Sequence, residues 1–195
     1  MDNSEGKYDE RNRFWTEQAL NQFGSASNFF FLICLGYFAY LFEKNDIKGL
    51  FTWNLNSKFS LQNFFLIIAV LTSTLSLIAG SLTVLSRLHD LRLTRHIVWI
   101  RKKSFDNYQK EYNEDDIDID KYYFYKQFLN LITTVFSRRH FIKQSEIKYD
   151  PKIDMKFLEL RKRCLLLARF SWKMINTQFL SLLISLILYS LYNLF

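Results

Sequence analysis

The sequence predicts an all-α membrane protein with about three transmembrane helices and a basic cytoplasmic helical segment between the second and the third. Three observations support this fold class. Of the 195 residues, 49% are hydrophobic and 18% are aromatic, and the apolar residues are segregated along the chain. Five glycines and one proline are too few for a turn-rich β-sandwich. Three stretches of at least 20 residues carry no charge, and about 20 apolar residues of helix cross the hydrocarbon core of a bilayer.

The three uncharged stretches are the expected spans, and we expect their helices to continue out of the bilayer. The first span is 23–42, the second is 64–85 and the third is 175–195. A soluble all-α protein could bury one such helix, but burying three in so short a chain would require a larger soluble shell. Trp and Tyr prefer the headgroup level of a bilayer. Three tryptophans flank the spans as expected interfacial anchors: Trp15, Trp53 and Trp172.

Charge divides the chain into three expected regions. Residues 1–86 are predicted to form an N-terminal amphipathic segment and a transmembrane hairpin, 87–174 a basic helical region, and 175–195 the last transmembrane helix. Positions 87–173 hold 20 basic and 12 acidic residues, and such an excess of Lys and Arg marks the cytoplasmic side of a membrane. We therefore expect the basic region and the N-terminus inside the cell and the C-terminus outside. No cleaved signal peptide is expected, because the first 22 residues lack a basic region and a small-residue cleavage site.

The basic region is expected to be helical with one break. Residues 87–112 contain no Gly or Pro and are predicted to continue the second span as one helix. The acidic run 111–120 is the expected linker, and its alternating aspartates match the start of an EF-hand loop. That loop then needs Gly and Glu at positions where this chain has Lys121 and Gln127. Calcium binding by this motif is therefore not expected.

A second amphipathic helix is predicted over 121–140. Its apolar residues recur on one helical face with i, i+4, i+7 and i+8 spacing: Phe124, Phe128, Leu131, Ile132, Val135 and Phe136. Such a face could lie in the membrane interface or form the core of a cytoplasmic bundle, and the pattern does not separate these two. Asp150 and Pro151 predict the start of the last helix, since Asp is a good N-cap and Pro suits the first helical position. This helix is expected to run unbroken from Lys152 to Phe195.

The chain shows no residue pattern typical of catalysis. His89 and His96 lie seven residues apart on one helix face, but neither has a metal ligand four residues away, and Arg92 between them would repel a cation. Asp90 is expected to pair with Arg87, three residues earlier. No phosphate-binding loop, Ser/His/Asp arrangement or reactive cysteine is visible. We therefore expect no enzyme activity, no cofactor, no metal and no small-molecule substrate.

Polar residues in and just after the second span are candidate pore residues. Inside the span, hydroxylated residues permit close helix packing or line a polar path: Thr72, Ser76 and Thr83. Just after it come the candidates for the cytoplasmic mouth of a channel: Arg87, His89, Arg92, Arg95 and His96. Three spans cannot enclose a wide channel, so a pore would need several copies of the chain. The alternative is a non-conducting, membrane-tethered module that recruits a protein or RNA partner through the basic region.

Two motifs carry a resemblance to known proteins. RFWTEQ at 13–18 precedes the first span, and SRLHDLRLT at 86–94 directly follows the second. They resemble small bacterial membrane proteins with two N-terminal spans, and the wider architecture is similar to SLATT-type effectors of anti-phage defence. It is also similar to the membrane accessory proteins of type VI-B CRISPR systems, which are encoded beside an RNA-guided RNA nuclease. One such family has been proposed to carry an Arg/His RNase motif, whose spacing is absent here.

The resemblance implies a location, a partner and an activity. The location is the bacterial inner membrane, with the C-terminus in the periplasm. The partners are the lipid bilayer and further copies of the chain, with an RNA-guided nuclease or another RNA or protein effector as a candidate. The implied activity is self-association into a pore that perturbs the membrane during infection.

Overall fold

The computed structural model describes six ranges of the chain, and most of their residues are helical. The described ranges are 3–45, 61–108, 117–119, 121–137, 141–149 and 153–194. They contain five helices: α1 (Asn3–Lys44), α2 (Leu61–Tyr108), α3 (Phe124–Phe136), α4 (Gln144–Tyr149) and α5 (Ile153–Leu194). No strand occurs within these ranges. The prediction of an all-α fold is confirmed.

Three of the helices contain segments long and apolar enough to cross a membrane. The segments are Asn21–Lys44 of α1, Leu61–Asp106 of α2 and the whole of α5. Together they contain the predicted spans apart from Phe195, which lies outside the described residues. Their length follows from composition, because α2 has one glycine and no proline and α5 has neither. Nothing therefore interrupts the main-chain hydrogen bonds that extend each helix, and the chain is an all-α membrane protein.

The chain forms two compact units. The first, called here the span unit, comprises residues 1–84 and 175–195, and the second, called here the helical unit, comprises residues 85–174. The span unit holds the uncharged segments almost completely, whereas the helical unit holds the basic region. Both α2 and α5 contribute residues to each unit, and each unit has its own buried residues.

In the span unit, an apolar cluster bordered by tyrosines joins α1 to α2. Leu41 of α1 and Leu66 and Val70 of α2 form the cluster. Three partly buried rings pack around it: Tyr37, Tyr189 and Tyr192. The side-chain amide of Gln62 on α2 donates to the main-chain carbonyl of Tyr192 on α5 (3.2 Å). The cluster thus connects all three helices of the unit.

In the helical unit, α2 and α5 pack mainly through large apolar side chains. The buried residues of α2 include Leu93, Ile97 and Ile100. The largest buried side chains of α5 are Phe157, Leu160, Leu167 and Phe170. The Ser86 hydroxyl of α2 donates to the main-chain carbonyl of Leu167 (2.9 Å). This bond fixes one helix against the other.

The helix α3 is shorter than the predicted helix 121–140. It spans Phe124–Phe136, and the next residue, Ser137, has an extended backbone with φ −117° and ψ 127°. That conformation cannot continue an α-helix. Residues 138–140 lie outside the described ranges, as does most of the predicted linker 111–120.

The short helix α4 has no counterpart in the sequence prediction. Its six residues are too few to show a helical period. At its start, the main-chain N–H of Lys143 donates to the carboxylate of Glu146 (2.7 Å), which satisfies one of the amides that a helix leaves unpaired at its N-terminus. α5 begins at Ile153, and the predicted start at Pro151 lies outside the described residues.

Candidate functional site

A hydrogen-bonded polar cluster joins the three helices of the span unit. The hydroxyl of Ser76 on α2 donates to the main-chain carbonyl of Gln178 on α5 (2.8 Å). Because its single proton is used there, the thiol of Cys34 on α1 donates to Ser76 Oγ (3.1 Å). Gln178 Nε2 lies 3.7 Å from Cys34 Sγ. All three residues are buried, so the cluster is part of the interior of the unit.

Gly80 makes room for the side chain of Gln178. A Cβ atom at position 80 would lie 2.7 Å from Gln178 Nε2 and 2.8 Å from Phe31 Cδ2, well inside the optimal separation of nonbonded atoms. Small residues at the helix interfaces of membrane proteins permit such close approach. Gly80 therefore allows an amide side chain to lie among the three helices.

A second polar link lies further along α5. Ser185 Oγ donates to the main-chain carbonyl of Ala69 on α2 (2.6 Å). The Tyr37 hydroxyl of α1 donates to the main-chain carbonyl of Ser185 (3.1 Å). Hydrogen bonds between membrane helices contribute about 0.6 kcal/mol on average, so the two links add a modest but directional term to the packing.

The predicted pore-lining hydroxyls are engaged within one copy of the chain. Thr72 donates to the carbonyl of Ile68 (2.8 Å) and Thr83 to the carbonyl of Ala79 (2.9 Å), both on their own helix. Ser76 donates across to α5, and both Ser76 and Thr83 are fully buried. These hydroxyls therefore contribute to packing inside the span unit.

In the helical unit, a buried carboxylate joins α2 to α5. Asp90 pairs with Arg87 (Oδ2, 3.4 Å), as predicted, and its Oδ1 accepts a hydrogen bond from the Cys164 thiol (3.0 Å). Burial raises the pKa of Asp90, while the Cys164 hydrogen bond and the Arg87 charge lower it to a smaller extent. Burial, together with the charge of Asp90, raises the pKa of Cys164 to about 12. The thiol is therefore protonated at neutral pH and is not a nucleophile.

His96 fixes the segment that precedes α4 to α2. Its Nε2 accepts a hydrogen bond from the main-chain N–H of Ile142 (3.0 Å). The imidazole stacks on Trp99 (ring centroids 5.6 Å apart) and meets the edge of Phe141 (4.8 Å). Burial lowers the pKa of His96, and the charge of Arg92 lowers it further. A neutral imidazole suits this site, because a protonated Nε2 would be a second donor facing the Ile142 N–H.

The helix α3 packs through a mostly polar face and through the rings of Phe124 and Phe128, which contact the buried Phe170 of α5 (ring centroids 5.5 and 6.2 Å apart). The buried residues of α3 are Gln127, Asn130, Leu131 and Thr134. Asn130 Nδ2 donates to the main-chain carbonyl of Arg163 on α5 (3.1 Å), and the guanidinium of Arg163 reaches Asn130 Oδ1 (3.4 Å). The exposed aromatic and aliphatic residues of the helix are Phe124, Tyr125, Phe128, Leu129, Ile132 and Phe136. Contiguous apolar surface of this kind marks an interaction site.

A cavity of about 150 Å³ lies beside α4 and α5 in the helical unit. Its charged lining residues form two ion pairs, Lys156–Glu146 (3.0 Å) and Arg163–Glu159 (2.7 Å). Because the opposite charges are matched, this cavity has no net charge with which to select an ionic ligand.

Comparison with known proteins gives this chain no relative. No protein family, curated protein or solved structure matches it.

The predicted mouth residues fall into two groups. Arg87 pairs with Asp90 on its own helix, and His96 bonds α2 to the segment before α4. His89 is partly buried. Burial lowers the pKa of His89, and the nearby charge of Arg92 lowers it further. Arg92, which lies over an aromatic ring, and Arg95 are both exposed. These two are the predicted mouth residues whose charge faces solvent.

The predicted anchors lie in different parts of the chain. Trp172 of α5 is 57% exposed and precedes the third span by three residues. Trp15 lies within α1, and Trp53 lies outside the described residues. Among the described residues, no group of three or more His, Cys, Asp or Glu side chains is arranged to hold a metal ion.

Sequence reasoning missed Gln178, Cys164 and Asn130, which join different helices in the structure. One signal was available for Gln178, because it is an amide inside an uncharged span, and buried amides require partners. Asn130 lies on the polar side of a strongly amphipathic helix, where the pattern predicts exposure to solvent. Cys164 carried no signal, since an isolated cysteine is equally compatible with an apolar contact.

Proposed function

We propose that the protein assembles in the bacterial inner membrane as a homo-oligomer that surrounds a pore, with a basic vestibule on the cytoplasmic side. The observation that supports the proposal is the exposed apolar surface of α2 and α3 in the helical unit. Large apolar side chains left in water are unfavourable by roughly 25 cal/mol per Å². Copies of the chain that cover this surface would recover that free energy.

Conduction through this assembly would take place between copies. Three helices are too few to enclose a wide channel, and several buried hydroxyls of the span unit are already hydrogen-bonded within it. Ser76, Thr83 and Ser185 all donate to main-chain carbonyls of the same unit. A lumen would therefore be lined by residues on the outer face of the unit, where Ser81 and Asn176 are exposed polar groups.

The charge of the vestibule would favour anions. Arg92, Arg95 and Lys102 are exposed on α2 after the second span. A ring of several copies would bring these cations together around one axis, and rings of Arg and Lys select anions in pores. The N-terminus would be cytoplasmic and the C-terminus periplasmic, as the excess of basic residues in 87–173 predicts.

The biological role that we propose is anti-phage defence by perturbing membrane integrity. It is supported by the resemblance of residues 13–18 and 86–94 to small bacterial membrane proteins and by the architecture shared with SLATT-type and CRISPR-associated membrane proteins. No enzymatic step is required for this role, and we propose none.

Electrical recording tests the pore. Purified oligomer is reconstituted in a planar bilayer, and wild type is compared with Arg95→Glu and with the matched control Lys121→Glu. Lys121 is exposed and pairs with Asp118 (3.6 Å) in the helical unit, so its reversal changes charge by the same amount at a different site. We expect anion preference to fall in Arg95→Glu and to persist in Lys121→Glu. Absence of conductance in every oligomeric fraction would reject the pore.

The exposed face of α3 favours a second candidate, a non-conducting module that recruits a partner. Leu129, Ile132 and Phe136 are exposed on the side of α3 that faces away from the residues bonded to α5, so a foreign protein helix could cover them. In that function, Leu129→Ser and Phe136→Ser would abolish recruitment and leave the membrane impermeable with or without infection. Loss of ion gradients in infected cells that express wild type would contradict this candidate.

A further inference from the structure

Within the helical unit, α2 is apolar on two opposite faces. One face is buried and includes Asp90, Leu93, Ile97 and Ile100. The other carries Leu88, Leu91, Val98 and Phe105, each between 51% and 62% exposed. A soluble helix that borders a core normally has one apolar face and a polar face opposite it. The second apolar face of α2 therefore requires an occupant, and the part of the chain that the structure describes does not cover it.

The exposed face has the spacing of a coiled-coil seam. Positions 88, 91, 95, 98, 102 and 105 follow one another in alternating steps of three and four residues, and all six are exposed. In heptad terms, Leu91, Val98 and Phe105 are d residues. The a residues are Leu88, Arg95 and Lys102. This spacing fits the side of another α-helix that runs alongside.

We propose that a second copy of this chain covers the seam and that the two copies of α2 run parallel and in register. Every copy anchored by the same spans has the same orientation in the membrane, so the same positions on two copies lie at the same depth. Anchoring in the same membrane also raises the concentration at which the seam of one copy meets the seam of another. A seam of only 18 residues can therefore be enough.

Charges flanking the seam complement one another in this arrangement. Arg101 is a g residue and Asp106 is the e residue of the following heptad, and in a parallel pair these two positions meet across the interface. Within its own chain, the Arg101 guanidinium lies over the ring of the buried Phe157 (5.7 Å). The pair with Asp106 of the second copy therefore requires the Arg101 side chain to turn from this ring toward the seam.

The basic a residues explain why the contact would be selective. Arg95 and Lys102 reduce the stability of the seam, and a polar a residue restricts register and the number of helices. Their long side chains can bend outward and keep the charged ends in water. The same charges argue against lipid as the occupant, because Arg95 and Lys102 would lie along hydrocarbon if the apolar residues of the seam inserted into the bilayer.

Cysteine cross-linking in the full-length protein tests the seam. The two native cysteines can be left in place, because Cys34 is buried and Cys164 is a partly buried thiol with a pKa of about 12. The test variants are Leu91→Cys and Val98→Cys. The matched control is Met155→Cys, since Met155 is also highly exposed in the helical unit but lies on α5. Each protein is oxidised with copper phenanthroline in membranes and in mild detergent.

In a parallel, in-register seam, identical positions face each other. We therefore expect Leu91→Cys and Val98→Cys to form disulfide-linked dimer at least about tenfold faster than Met155→Cys, because paired thiols react at a raised effective concentration. Equal rates at the three positions would overturn the proposal. Quenching of a fluorophore at position 91 by brominated lipid would overturn it too, in favour of the bilayer as the occupant. Cross-linking to another protein with no self-dimer would also reject it.

The inference rests on the proposed homo-oligomer, and its failure can be distinguished from failure of the pore. The double variant Leu91→Ser, Val98→Ser is examined for stoichiometry and conductance beside wild type. If the variant remains oligomeric and conducts, the seam is rejected and the pore stands. If wild type cross-links at 91 and 98 but never conducts, the seam stands and the pore is rejected.

Discussion

Replacing Gly80 by alanine is expected to destabilise the span unit. The new methyl group would lie 2.7 Å from Gln178 Nε2, 2.8 Å from Phe31 Cδ2 and 3.0 Å from Gln178 Cδ. The end of a glutamine usually moves at little cost, but Gln178 is buried and its amide cannot leave the cluster without losing its contact with Cys34. Phe31, on a third helix, must move as well.

The magnitude follows from two opposing terms and a matched control. Overpacking a filled site costs about 1–3 kcal/mol, whereas alanine gains about 1 kcal/mol over glycine in helix propensity. Gly36→Ala has the same propensity gain, and a Cβ at Gly36 meets nothing within 4 Å. The difference in stability between the two variants is therefore the overpacking cost alone, about 1–3 kcal/mol.

Thermal unfolding of the detergent-solubilised protein measures this difference. For a chain of this size, 1 kcal/mol shifts the melting temperature by about 2–4 °C, so Gly80→Ala should melt about 2–12 °C below Gly36→Ala. Adding Gln178→Ala to Gly80→Ala removes two of the three close contacts and should restore part of the loss. Equal melting temperatures for the two glycine variants would refute the packing described around Gln178.

Three further predictions concern single side chains. Folding lowers the pKa of His96. The hydrogen bond from Ile142 to the neutral imidazole therefore stabilises the protein fully above the pKa of the unfolded chain, and this stability is lost as the pH falls through the lowered pKa of the folded protein. Between about pH 7.5 and about pH 5, the melting temperature of wild type should fall more than that of His96→Gln. Cys164, with a pKa of about 12, should react with maleimide at neutral pH about a thousandfold more slowly than a free cysteine. The Asp90→Asn variant should react faster. Rapid labelling of Cys164 in wild type would contradict the buried hydrogen bond between Cys164 and Asp90. Ser185→Ala removes a bond between α5 and α2 and should cost about 0.6–1.7 kcal/mol in thermal unfolding, and an unchanged melting temperature would show that this bond adds nothing.

The long helices could be predicted because their signal is a property of single segments. A run of 20 uncharged residues has few ways to be satisfied other than as a membrane helix or a buried helix. The predicted continuation of the second span agrees with α2 as far as Tyr108, and the expected last helix agrees with α5 from Ile153 to Leu194. Residues 109–112, 152 and 195 of these two predictions lie outside the described residues. The end of α3 was missed, because Ser137 leaves the helix without a glycine or proline to mark the place.

Contacts between distant residues could not be predicted from one sequence. Arg87 and Asp90 are three residues apart, so the geometry of one helix turn is enough to predict their pair. Asp90 and Cys164 are 74 residues apart, and Ser76 and Gln178 are 102 apart. For such pairs the packing of two helices decides which side chains meet. A hydroxyl in a span satisfies itself equally well on its own helix, as Thr72 does.

The helix α3 shows why an amphipathic pattern locates a face but does not say what covers it. Asn130 of its polar face bonds to Arg163 of α5, and Phe124 and Phe128 of its apolar face contact Phe170 of the same helix. The rest of the apolar face, with Leu129, Ile132 and Phe136, stays exposed. A buried polar group left without a partner costs about 1–3 kcal/mol and needs that partner at a fixed distance and angle. Apolar contact has no preferred direction, so it can be completed later by another copy or another protein. The helical unit makes several of its directional bonds within one chain and leaves apolar side chains of α2 and α3 exposed, and the proposed assembly would cover these side chains.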